Sequence, residues 1–231
     1  MEQAARLVLF DIDGTLLRRS GPAHRRALER AVARVTGIVT PIDGIPVAGM
    51  LDRDILLEML GRAGLRGRAA QRAVGEAGRA AQNIFVRTCP DLSRKVCPGV
   101  RRLLRALQRR GVPCGLVTGN LERIAWTKMR RAGLEAFFSV GAFSGDGPTR
   151  AALIRLAVKR ARRQGLIGRG AEVVYVGDHP NDIRAAREAG VEVLAVGTGV
   201  VSGEELLVHA PDRYVEDLRA LRVAELAGAR D

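Results

Sequence analysis

Four short apolar runs stand out along the chain, and each gives way abruptly to polar or glycine residues. Residues 6–10 stop at Asp11-Ile12-Asp13-Gly14-Thr15, 112–117 at Thr118-Gly119-Asn120, 172–176 at Gly177-Asp178, and 191–196 at Gly197. Runs of this length bounded by turn residues predict strands. Beside them the period lengthens to that of a helix. Val100, Leu103, Leu104 and Leu107 fall at i, i+3, i+4 and i+7, with arginines on the other face and Pro98 near the start. Nearly continuous apolar strands alternating with amphipathic helices imply an α/β fold with a parallel sheet covered on both faces.

Residues 22–88 break this alternation. They hold no strand pattern and predict helices at about 22–36, 52–64 and 68–88, with Ile55, Leu56, Met59 and Leu60 as one apolar stripe. A crossover between parallel strands needs only about a dozen residues. This stretch is therefore expected to form a separate helical subdomain over 18–94, hinged near 17–21 and 92–99, with the sheet built from 1–17 and 95–231. There is no internal repeat and no low-complexity segment.

Composition narrows the class. At 231 residues, 47% hydrophobic and 27% charged, the chain is long enough for one large domain or a domain plus a smaller one, and its charge is that of a globular protein. No apolar run reaches the roughly 18 residues of a membrane span. The apolar run ending at Asp11 is too short for a signal-peptide core and lacks a small-residue cleavage site. Cys89, Cys97 and Cys114 cannot all pair and lack metal-ligand spacing. A cytoplasmic protein with reduced thiols, monomer or homodimer, is expected.

The net charge of +13 invites a nucleic-acid reading. Only Lys95, Lys128 and Lys159 among the 38 basic residues are lysines, however, and the arginines are spread through every helix. Aromatics, the stacking platforms of single-strand binders, are 3%. The excess is read as a base-composition bias of the genome, and no specific nucleic-acid partner is expected.

The polar strand ends carry the chemistry. In open parallel sheets the ligand crevice lies at the carboxyl ends of the strands, so Asp11, Asp13, Thr118 and Asp178 should converge there. Asp11 and Asp13, two apart, point the same way on extended backbone. Carboxylates so gathered repel one another unless a cation neutralises them, and an all-oxygen set suits magnesium.

These residues resemble the haloacid dehalogenase superfamily of phosphohydrolases. Its Asp-x-Asp-Gly-Thr motif is matched by Asp11-Ile12-Asp13-Gly14-Thr15, its Thr or Ser after an apolar strand by Thr118, and its Gly-Asp-x-x-x-Asp by Gly177-Asp178-His179-Pro180-Asn181-Asp182. The resemblance spans essentially the whole chain, the helical insertion lying where one group of the family carries its cap. It implies a doubly wound, Rossmann-like core with an all-helical cap whose closure excludes water. Asp11 would be the nucleophile of an aspartyl-phosphate mechanism, and Asp13 the acid and then the base. Thr118, with Gly119 and Asn120 at a helix start, would hold phosphoryl oxygens. Asp178 would bind Mg2+ with Asp11 and the Asp13 carbonyl, and Asp182 would be an outer ligand or a partner behind it.

The sequence departs from the family at the usual lysine of the third motif. Arg150 stands where a helix begins after Phe143-Ser144-Gly145-Asp146-Gly147-Pro148-Thr149, and Lys159 follows about 13 Å further along that helix. Arg150 is favoured, because its forked guanidinium suits carboxylate and phosphate together. His179 is read as an exposed loop residue, His24 and His209 as surface residues, and Trp126 as packing for a helix at 121–132. Gly197-Thr198-Gly199 lacks the third glycine of a dinucleotide fingerprint. Arg19, His24, Asp52 and Arg53 are candidates to read the substrate beyond its phosphate. The cap length and Arg150 look most like phosphoglycolate-phosphatase-type enzymes, which points to a small phosphorylated metabolite. A phosphomutase and an inactive polyanion binder are the alternatives; Asp13 argues against a dehalogenase.

Overall fold

The computed structural model describes residues 4–18 and 21–227. A six-stranded sheet runs β1 (Ala4–Phe10), β2 (Cys114–Val117), β3 (Val140–Ala142), β4 (Ile167–Gly177), β5 (Glu192–Val196) and β6 (Arg213–Val215), in the spatial order β3-β2-β1-β4-β5-β6. Every neighbouring pair is parallel. The four strands expected from the pattern are the central four. The two edge strands, three residues each, were not foreseen, being too short to show a period.

The strands alternate between two apolar layers, as a period of two requires. Val8 and Phe10 of β1, Val174 and Val176 of β4, and Leu194 and Val196 of β5 face one layer. Leu7 and Leu9, Tyr175, and Val193 and Ala195 face the other. Helices α4 (Val100–Arg109) and α5 (Glu122–Ala132) cover the first face. The second is covered by α6 (Arg150–Arg163), α7 (Pro180–Ala189) and Leu206 of α8 (Gly203–Val208). The short α9 (Val223–Ala227) packs beside α4. This is the doubly wound arrangement, with β1 and β4 at the point where the order reverses.

Between β1 and β2 lie α1 (Pro22–Thr36), α2 (Asp52–Arg62) and α3 (Gly67–Thr88), which pack on one another. Pro22 begins α1, where its missing N–H costs nothing, and Gly37 ends it in the left-handed region. Their apolar faces, including Leu28, Leu56, Ala77 and Phe85, join the layer formed by Val8, Leu104 and Ile124 without a break. The chain leaves and re-enters the sheet at one place: Arg18 N donates to Lys95 O (2.8 Å), Cys97 N to Leu16 O (3.0 Å), and Leu17 bridges Val96 in antiparallel fashion.

Candidate active site

The first loop is shaped by its own backbone. Beyond β1, Leu16 N and Leu17 N both donate to Ile12 O at 2.9 Å, and Gly14 N returns to Leu17 O at 2.7 Å. Gly14 has φ +92°, and a side chain there would overlap the Asp178 carboxylate; one at Gly199 would do the same. The backbone thus closes on Asp178 from two sides. Asp11 N continues the sheet by donating to Val176 O (2.9 Å), which brings Asp11 and Asp178 together at the reversal point.

Asp11, Asp178 and Asp182 are all buried, and one carboxylate oxygen from each lies within 4.8 Å of the others. Burial, only partly offset by Arg150, pushes Asp11 from 3.8 up to about 6, with Asp182 and Asp13 adding to the rise. Burial and the carboxylates of Asp182 and Asp11 also push Asp178 well up. The buried Oδ1 of Asp11 accepts no hydrogen bond. These are the marks of a carboxylate pair shaped for a hard cation, and the all-oxygen donors fit magnesium. Asp182 is differently placed. Its Oδ2 accepts from the amides of Asp178 and His179 (both 3.1 Å), and its Oδ1 meets Tyr175 Oη (3.1 Å) and Arg150 Nε (3.2 Å).

Arg150 is the first residue of α6, whose start is fixed by Thr149 accepting from Ala152 N (3.2 Å). The loop before it is clamped by Arg160, which forks onto Asp146 at 2.8 and 2.9 Å. The buried guanidinium of Arg150 lies 3.3 Å from Asp11 Oδ1 and donates to Tyr175 Oη (3.2 Å). Burial works against its charge, but Asp182, Tyr175 and Asp11 outweigh that and hold its pKa well above the ordinary value. Lys159 is exposed on the same helix.

Thr118 and Asn120 are buried beyond β2, and Asn120 Nδ2 donates to Thr118 Oγ1 (3.1 Å) and to Asp13 Oδ2 (2.9 Å). Gly119 permits a close approach, since a side chain would overlap the Met50 carbonyl oxygen. Its own carbonyl accepts from Asp52 N (2.7 Å). The segment leading into α2 is seated here by three further contacts: Arg53 N on Ser144 Oγ (2.9 Å), and Asn181 Nδ2 (3.0 Å) and Arg150 Nη2 (3.5 Å) on Gly49 O.

Asp13 is bound by an ammonium and a side-chain amide rather than gathered with the buried carboxylate trio. Lys128 of α5, with no exposed surface, places Nζ 2.5 Å from Asp13 Oδ2 and 3.2 Å from His24 Nδ1. Burial raises the Asp13 pKa, but Lys128 and His24 overcome it and bring it to about 2. His24 Nε2 in turn meets Asp52 Oδ2 (3.0 Å), which also accepts from Leu121 N (2.8 Å). Lys128 and Tyr175 were not foreseen as site residues. A signal for Lys128 existed: it falls one turn after Ile124 and one before Ala132, on the apolar face of α5.

Two expectations, both for histidines, are corrected, and the other candidates are placed beside them. His24 is no surface residue but lies inside this chain of contacts, with Phe85 edge-on at 5.6 Å. His179 is half-buried and caps α7, accepting from Asn181 N (3.1 Å), because its ring reaches the helix start. Asp52 is turned toward Leu121 and His24, and the Arg53 side chain toward Gln71. Arg19 lies outside the described residues. Trp126 packs edge-on to Phe143 at 5.9 Å, as a packing residue should.

Comparison with known proteins agrees with this geometry. The family model for haloacid dehalogenase-like hydrolases matches residues 5–190. A phosphoglycolate phosphatase of Yersinia pestis is 30% identical over 223 residues, covering 91% of this chain and 88% of its own. One from Pseudomonas savastanoi pv. phaseolicola is 28% identical over 228 residues, covering 94% and 78%. Among solved structures, CbbY from Rhodobacter sphaeroides in complex with phosphate superimposes with a TM-score of 0.68 at 22% identity, over 94% of this chain and 96% of that one, a likeness of fold. The chain belongs to the haloacid dehalogenase-like hydrolases. It is an enzyme, a phosphatase of that family similar to the phosphoglycolate phosphatases.

Proposed function

We propose that the protein hydrolyses a small phosphorylated metabolite of the phosphoglycolate type, with magnesium, through an aspartyl-phosphate on Asp11. The observation that carries this is the separation of its two first-loop carboxylates. Asp11 is buried against Asp178 and the Arg150 fork, whereas Asp13, two residues on, is bound by Lys128 and Asn120. One carboxylate is thereby set beside a site for cation and phosphoryl group, and the other is set apart for proton transfer.

In this reading the substrate's own negative charge, entering beside Asp13, offsets Lys128 and lets Asp13 take up a proton. Asp11 attacks phosphorus, the P–O bond to the leaving group breaks, and the leaving oxygen takes that proton from Asp13. Asp13 then takes a proton from the water that attacks the Asp11 phosphoryl group, freeing inorganic phosphate and restoring the carboxylate. Arg150 and Thr118 hold phosphoryl oxygens, with Gly119 and Asn120 beside them at the start of α5. Asp182 orients Arg150 and the Asp178 loop from behind. Asp11, Asp178 and the Asp13 carbonyl would hold Mg2+, which when bound neutralises the gathered negative charge. Residues 1–17 and 95–231 act as the catalytic core and 18–94 as a cap that excludes water. The three free, buried cysteines support a reduced, cytoplasmic setting.

The test is a panel of phosphorylated metabolites assayed with magnesium and after chelation, scoring released phosphate and isomerised sugar phosphate separately. Phosphate release that disappears with chelator and returns with magnesium is expected, and Asp11→Asn should be inert. Full turnover by metal-free protein would sink the metal assignment. Isomerised product without phosphate would make the enzyme a mutase.

A further inference from the structure

Lys128 is a fully buried ammonium, with Asp13 on one side and an imidazole on the other. The other two lysines of the chain are exposed. An ammonium has three donors and no acceptor, so His24 Nδ1 must accept from it, and the ring proton must then sit on Nε2. That proton points at Asp52 Oδ2, 3.0 Å away, which also receives the Leu121 amide. Lys128 thus donates to Asp13 and to His24, and His24 to Asp52, so the order of donation runs one way. The chain of contacts joins the first loop to α5, then to α1 through His24, and to the start of α2 through Asp52.

We propose that Lys128 is a positioning residue for Asp13, fixing its carboxylate where proton transfer to the leaving group requires it, and that His24 and Asp52 make this placement depend on α1 and α2 being seated over the strand ends. The inference rests on the reading of Asp13 as the proton donor to the leaving group. Geometry carries it. Lys128 and Asn120 both bind Oδ2 of Asp13, from α5 and from the β2 end, which restricts rotation of the carboxylate. Lys128 reaches Asp13 only because its stem lies in the apolar face of α5 beside Ile124 and Met129, so its head has little freedom. If α1 withdraws, Lys128 loses the acceptor that holds its second proton, and its hold on Asp13 is no longer fixed in direction. Closure of the helices and readiness of the acid are in this way one event.

The test measures kcat/KM, which reports events up to phosphoryl transfer to Asp11, for monoesters of graded leaving-group basicity. Wild type, Lys128→Met, His24→Leu and Asp13→Asn are compared. Acetyl phosphate needs no proton on its leaving group, whereas an alkyl phosphate does. Lys128→Met should lose about 10²-fold on alkyl phosphates and less than about threefold on acetyl phosphate, the profile expected when a general acid is misplaced. His24→Leu, which keeps Lys128 in place, should tilt the same way by a smaller factor, and it serves should Lys128→Met fail to fold. Equal losses on all esters in both variants, beside a steep profile in Asp13→Asn, would overturn the positioning role alone. A level profile in Asp13→Asn as well would overturn the assignment of Asp13, and this inference with it.

Discussion

Arg150 answers for three carboxylates at once. It contacts Asp11 and Asp182 directly, and Asp182 fixes the loop that carries Asp178. Arg150→Ala should therefore lower turnover by about 10²- to 10³-fold, the usual cost of removing a group that meets developing charge. Arg150→Lys should recover part of it, because an ammonium supplies charge but cannot span Asp11 and Asp182 together. Lys159→Ala should stay within about twofold, since surface changes away from the site do little. Steady-state kinetics on the three variants check the ranking; a crippled Lys159→Ala would place the third cation elsewhere. The sequence was legible here because Thr149 announces a helix start and Arg150 follows it. Lys128 was harder to read: its partner Asp13 is 115 positions away, and no local pattern records a contact of that range.

At the level of elements, strand ends and helix starts do the positioning. Helices α1 to α3 were legible to within about two residues because their apolar stripes are long. The edges β3 and β6 were not, and these triplets are assigned by pairing with β2 and β5 rather than by pattern. The seat of α2 was equally hidden, since it depends on Gly119 lacking a side chain. Gly119→Ala would press a methyl group into the Met50 carbonyl and force the 47–52 segment outward. Because Asp52 N is bonded to Gly119 O, α2 should move with it. Lower thermal stability by about 1–3 kcal/mol and a raised KM are expected, with the contacts of Asp11 itself unaltered. Unchanged melting and kinetics would mean that this approach is not needed in solution.

Over the whole molecule, the buried acids set a pH dependence with a definite sign. Asp11 is raised from 3.8 to about 6, so the folded state binds a proton in that window which the unfolded state has released. Stability of metal-free protein should consequently fall as pH rises from about 4 to 6, by on the order of 2–3 kcal/mol for such a shift. Asp178, raised in the same direction, should deepen the fall. Asp13 behaves oppositely, its contribution being present above 3.8 and lost only as pH drops toward 2. If the ionised acids hold magnesium as proposed, adding it should abolish the decline and raise the melting temperature most at neutral pH. Melting curves with chelator and with magnesium across pH 4–8 measure this, and identical curves would show that no cation is held there.

The paired crossing between residues 16–18 and 95–97 has a mechanical consequence. Two segments tied side by side by Arg18–Lys95, Cys97–Leu16 and the Leu17–Val96 bridge behave as a ribbon, stiff to stretching and sideways shear but able to bend and twist. A rigid body on two independent tethers could tumble; one on a ribbon is left with bending and twisting alone. The ribbon is rooted at Leu17, whose carbonyl holds Gly14 N, one residue beyond Asp13. Torque applied to the helices would thus reach the turn that carries Asp13.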